Sequence, residues 1–166
     1  GEVNGTTKMV REKITVSGGD KIVTGAGIRI LKITGGISPL TIRLENSSGT
    51  LLDSFTIPAV NIASGRAPDF TSPIDWDDLG ANAKWVKGTF SSPRTLVNGQ
   101  TYYLRFSTSA DTTYWAWVNR RLQSYGYHPA TYFSDGVAQY TRDGVTWSNL
   151  GRSKGDQDLQ FYFTLQ

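Results

Sequence analysis

The chain has 166 residues, 38% of them apolar and 12% aromatic, which is enough to bury one substantial core, and one domain is the default at that length. With zero Cys, disulfides, thiol catalysis and thiolate metal sites are excluded. The formal charge of +3 comes from 17 basic residues scattered among 14 acidic ones, without the dense basic stripe of a nucleic-acid binder, and no apolar run is long enough to span a membrane.

Turn signals rich in Gly, Ser and Thr recur about every ten residues. The segments between them alternate apolar and polar side chains, which predicts an all-β, antiparallel sandwich or barrel. Met9 to Val16 is the first expected strand, closed by Ser17-Gly18-Gly19-Asp20, and Gly27 to Thr34 is the second, ended by Gly35-Gly36. Residues 1–7 are expected as a flexible or linker-derived start to a single domain covering 1–166. Leu40, Ile42 and Leu44 alternate inward against Thr41, Arg43 and Glu45, and Asn46-Ser47-Ser48-Gly49 turns this strand into Leu51 to Ile57 as a hairpin.

From Pro58 to Ala83 the alternation lapses into a long connection, of a kind that is functional or crosses between sheets. Regularity resumes at Trp85 to Phe90. Thr101 to Ser107 then places Tyr102, Leu104 and Phe106 inward and Tyr103, Arg105 and Ser107 outward. Further strands are expected at Ala130 to Phe133, Val137 to Thr141, Val145 to Trp147 and Leu159 to Leu165, the last with Tyr162 on its polar side.

Thr113 to Asn119 reads as one short strand, with Tyr114, Ala116 and Val118 on one face and Trp115, Trp117 and Asn119 on the other. Two indoles in line are either core beneath a loop or an aromatic platform on which the apolar faces of sugar rings stack. If this strand forms a hairpin with Thr101 to Ser107 across Ser109-Ala110-Asp111-Thr112, Tyr103 and Arg105 join Trp115, Trp117 and Asn119 on that platform. Rings then supply burial, and Arg and Asn supply directed hydrogen bonds. A guanidinium also suits the carboxylate of an anionic polysaccharide.

Gly25-Ala26-Gly27-Ile28-Arg29-Ile30, the hairpin SPLTIRLENSSGTLLDSFTIP, the run WVKGTFSSPRTLVNGQTYYLRFS and the closing GDQDLQFYF together resemble secreted bacterial β-sandwich carbohydrate-binding modules attached to glycoside hydrolases and polysaccharide lyases. The resemblance covers the chain from about Lys8. It implies a two-sheet, jelly-roll-like fold, an extracellular setting, and a place within a larger multidomain enzyme. It is a likeness of layout, carried by turn and core positions and not by a ligand motif.

Two loops add candidates. Arg120, Tyr125 and Tyr127 are expected at the platform rim, with His128 beside them as the single His of the chain. One His and one Tyr without an evident partner carboxylate make poor acid–base machinery, so catalysis is not expected. Asp75, Asp77 and Asp78 crowd three carboxylates onto the long connection, where structural calcium is a possible occupant, but the spacing lacks the ligand pattern of an EF-hand. No other cofactor is expected. The expected function is therefore non-catalytic binding of polysaccharide or oligosaccharide. The alternatives are a spacer or protein-docking domain of an extracellular protein, or a small polysaccharide-degrading enzyme.

Overall fold

The computed structural model describes residues 2–5, 7–65, 83–109, 111–116, 118–120, 133–150, 157–159 and 161–166. Its strands are β1 (Glu2–Asn4), β2 (Met9–Val16), β3 (Lys21–Gly35), β4 (Leu40–Asn46), β5 (Leu51–Ile57), β6 (Lys84–Leu96), β7 (Thr101–Ser107), β8 (Thr112–Ala116), β9 (Val118–Arg120), β10 (Phe133–Thr141), β11 (Ser148–Asn149), β12 (Gln157–Leu159) and β13 (Phe161–Leu165). A 3-10 turn at Ala59–Asn61 is the only helical element among the described residues, and none there is long and apolar enough to cross a membrane.

The strands build two antiparallel sheets facing one core. One has six strands in the order β11-β10-β2-β7-β4-β5. The other has five, with β1 on β8, β8 on β3, and β3 also paired to β6 and β13. In this second sheet Ile30 pairs with both Lys84 and Ala116, and Ile28 with both Val86 and Phe161. A strand residue has two edges, so β6 occupies one edge of β3 while β8 and β13 share the other, end to end. Between them β9 and β12 leave as a two-stranded ribbon.

The β4–β5 hairpin forms as the alternation predicts. The hairpin expected between Thr101 to Ser107 and the aromatic strand does not form. β7 lies between β2 and β4 in the six-stranded sheet, whereas β8 lies on β3 in the five-stranded one. The physical reason is a pair of crossings that run side by side. β3 to β4 passes from one sheet to the other alongside β7 to β8, with Gly36 N donating to Asp111 O (2.8 Å), Ser38 N to Thr112 Oγ1 (3.2 Å) and Thr108 Oγ1 to Pro39 O (3.0 Å). At the opposite end β2 to β3 passes alongside β6 to β7, where Gly19 N donates to Asn98 Oδ1, Asn98 N to Asp20 Oδ1 and Gly99 N to Val16 O. Gly18, Gly19 and Gly99 have positive φ, so L side chains there would strain these turns.

The start of the chain also departs from expectation. Glu2–Asn4 is an edge strand paired to β8, and Val3 is fully buried, because a single apolar residue at the right register is enough to tie the end onto the sheet. Val145 to Trp147, expected as a strand, lies in the turn that Asp143 organises by accepting from the backbone N–H groups of Val145 (2.9 Å) and Thr146 (2.7 Å). Within the stretches expected as the aromatic strand and the closing strand, β8 and β13 belong to the five-stranded sheet and β9 and β12 pair with each other.

The core takes alternate residues from both sheets, among them Val10, Ile14, Ile28, Ile30, Ile42, Leu44, Leu104, Phe106, Tyr114 and Ala116. Each aliphatic side chain so buried contributes about 1.5–3 kcal/mol. Glu12 breaks the apolar pattern of β2: it is fully buried, and its Oε2 accepts the backbone N–H of Leu159 at 3.0 Å, which fixes β12 against the six-stranded sheet.

Candidate functional site

Trp115 lies on the outer face of the five-stranded sheet, half-buried, while its neighbours Tyr114 and Ala116 are buried at 0% exposure, as strand alternation requires. Its register partners are Glu2 on β1 and Leu31 on β3. Leu31 faces outward but is covered by the start of the long connection: Lys32 N donates to Ala63 O, Gly65 N donates to Lys32 O, and a Cβ at Gly65 would stand 2.7 Å from the Leu31 side chain. This segment closes one end of the outer face.

Further along β3 the same face opens. Gly27, Arg29 and Leu31 alternate outward, so Tyr162 (opposite Gly27) and Trp85 (opposite Arg29) share the face with Trp115. Trp85 is 51% exposed and Tyr162 36%, and their ring centroids are 5.3 Å apart with planes inclined at 55°. The two rings sit on strands at opposite edges of β3 and meet because Gly27 has no side chain: a Cβ there would lie 2.5 Å from the Tyr162 ring. Arg29 borders the pair, its Nε donating to Ala83 O at 3.1 Å, and Lys87 lies opposite Gly27. The result is an inclined aromatic surface with polar donors at its edges.

Trp85 and Tyr162 were not singled out as binding residues by the sequence. The signals were a glycine within a strand, which marks close approach of another group, and the outward register of Tyr162 in Leu159 to Leu165.

Tyr103 and Arg105 lie elsewhere, on the outer face of the six-stranded sheet, so the platform expected to combine them with Trp115 does not exist. They belong instead to a basic cluster. Arg105 is opposite Arg11 on one side and Arg43 on the other, and Tyr103 is opposite Lys13 and Glu45. The Glu45 carboxylate, 2% exposed, lies 2.8 Å from Arg105 Nη2 and 3.2 Å from Arg43 Nε, as charge contacts without hydrogen-bond alignment. The Arg11 guanidinium is stacked on Tyr103 (3.9 Å to the centroid) and Trp147 (4.1 Å), and its Nε donates to Gln139 Oε1 at 2.8 Å. Burial lowers the pKa of Arg11 and of Arg105; Tyr103 and Glu45 oppose this at Arg11, and Glu45 does so at Arg105.

Asn119 and Arg120 lie on β9, opposite Asp158 and Gln157 in the ribbon. Trp117, Tyr125, Tyr127 and His128, and the calcium candidates Asp75, Asp77 and Asp78, lie outside the described residues.

No protein-family model matches the chain, and a search of curated proteins finds no match either. What is established is an all-β, antiparallel two-sheet sandwich with two dissimilar outer faces, one aromatic and one rich in arginine.

Proposed function

We propose that this domain binds polysaccharide or oligosaccharide without catalysis and carries an attached enzyme or cell surface to its glycan. The observation that carries the reading is the Trp85–Tyr162 pair, two large rings left open on a sheet face, in contact with each other and bordered by Arg29. Exposed aromatic pairs cost solvation unless something covers them, and the apolar faces of sugar rings match both their size and their lack of directional bonding. Arg29 and Lys87 supply donors for ring hydroxyls at the periphery. An extracellular setting follows from the same reading.

Affinity electrophoresis against plant, algal and microbial glycans tests it. Retardation by at least one glycan, abolished in Trp85→Ala, is the expected result. Silence across a broad panel would favour a spacer or protein-docking domain, and release of reducing or unsaturated sugar would make the domain an enzyme.

A further inference from the structure

Ring stacking on the five-stranded sheet leaves the opposite face unexplained. There Arg11, Arg105 and Arg43 stand in one row on three neighbouring strands, which are about 4.8 Å apart. Like charges directly opposite one another destabilise a sheet. Glu45 compensates one of the three, and Lys13, opposite Tyr103, adds a further positive charge to the same face. Glu45 holds Arg105 and Arg43 from beneath, since it is 2% exposed while they are 20% and 34% exposed. Arg11 is fixed differently, its plane clamped by two rings and one N–H committed to Gln139. Three guanidiniums are thus positioned in advance, with terminal nitrogens left to donate and a charge surplus that no described residue on the row offsets.

We propose that this row is a binding site for oxyanion groups, carboxylate or sulfate, borne along an anionic polysaccharide. That the anion sits on a glycan rests on the carbohydrate reading above; the site itself does not. A guanidinium presents a planar fork that matches either oxyanion with two parallel hydrogen bonds. Burial and a neighbouring guanidinium both disfavour the charge on Arg11 and on Arg105, and the opposite charge of a bound anion counters both. The Tyr103 and Trp147 rings that flank Arg11 offer apolar surface to the sugar carrying the anion. A nucleic-acid backbone would call for a longer basic track than three residues in line.

Calorimetry on the 166-residue chain with polygalacturonate and dextran sulfate, their neutral counterparts methyl-esterified pectin and dextran, inorganic sulfate, and a single-stranded oligonucleotide tests the proposal. One anionic polymer is expected to bind at least tenfold more tightly than its neutral counterpart and than inorganic sulfate, and to weaken with added salt. Arg11→Gln, which leaves the Glu45 contacts intact, should reduce that affinity at least fivefold at unchanged melting temperature, and Arg11→Lys should restore only part of it. Arg105→Gln combined with Glu45→Gln removes an arginine without stranding a buried carboxylate, and should have the same effect. Anionic-polymer binding that survives in both folded variants overturns the proposal, as does equal binding of inorganic sulfate or preference for the oligonucleotide. Trp85→Ala separates the two readings. Neutral-glycan binding lost in Trp85→Ala, with no preference for anionic polymers, leaves the stacking surface standing and removes the arginine site. Anionic binding lost in Arg11→Gln but kept in Trp85→Ala, with neutral-glycan binding unchanged in Trp85→Ala, does the reverse.

Discussion

Tyr162 reaches Trp85 across the strand that separates them, with ring centroids 5.3 Å apart, because the residue between them, Gly27, leaves the space that a side chain would fill. Gly27 is therefore part of the aromatic surface although it contributes no side-chain atom to it. Gly88 has an equivalent role on the inner face of β6, where a Cβ would run into the Phe55 ring.

The two glycines predict different phenotypes. Gly27→Ala pushes the Tyr162 ring toward solvent, so it should separate the aromatic pair and weaken glycan binding several-fold with a small change in stability. Gly88→Ala overpacks the core and should cost about 1–3 kcal/mol with binding retained in the folded fraction. Thermal melts and binding isotherms on both variants check this, and a swap of the two phenotypes would invert the assignment of faces.

Asp53 makes stability depend on pH. It lies on β5 and accepts from Arg94 Nε (2.8 Å), Ser91 Oγ (2.8 Å) and the backbone N–H groups of Ser54 (2.7 Å) and Ser91 (3.3 Å), which ties β5 to β6. Burial alone would raise its carboxyl, but these hydrogen bonds outweigh burial and bring it from 3.8 down to about 2. The folded value is below the unfolded one, so the stabilisation is complete above about pH 4 and is lost as pH falls toward 2. Wild type should therefore melt above Asp53→Asn at pH 6, and the two curves should converge between pH 4 and pH 2. Curves that stay parallel over that interval would show that Asp53 is not the group responsible.

Tyr114 pins the paired crossings. Its hydroxyl donates to Ser38 O at 2.7 Å, and burial, aided by Asp111, raises its pKa to about 12. Tyr114→Phe keeps the ring and strands the carbonyl, which should cost about 1–2 kcal/mol. A fall of about 2–6 °C in melting temperature checks it, together with faster hydrogen exchange at the Gly36 and Thr112 amides.

Within a strand, the sequence is informative because side-chain direction has period two. Leu104 and Phe106 inward, Tyr103 and Arg105 outward, and Trp115 opposite in sense to Tyr114 and Ala116 all follow from alternation alone. Pairing between strands is another matter. The short link from Ser107 to Thr112 has the length of a hairpin loop, but its ends are committed to β4 and β3, and nothing local to residues 107–112 encodes those partners. The Trp85–Tyr162 contact is hidden for the same reason, as it joins two strands through a third. The arginine row is hidden too, since Arg11, Arg43 and Arg105 are isolated in sequence and meet only through register.

In the proposed function, glycan binds at the Trp85–Tyr162 surface. The most direct measurement is calorimetric titration of wild type, Trp85→Ala, Tyr162→Ala and Trp115→Ala with a glycan that the wild type retains on affinity electrophoresis. Loss of one well-packed ring typically costs more than 1 kcal/mol, so affinity is predicted to fall roughly tenfold in each of the first two and less in Trp115→Ala, with all three folded. Undiminished affinity in both Trp85→Ala and Tyr162→Ala would contradict the account.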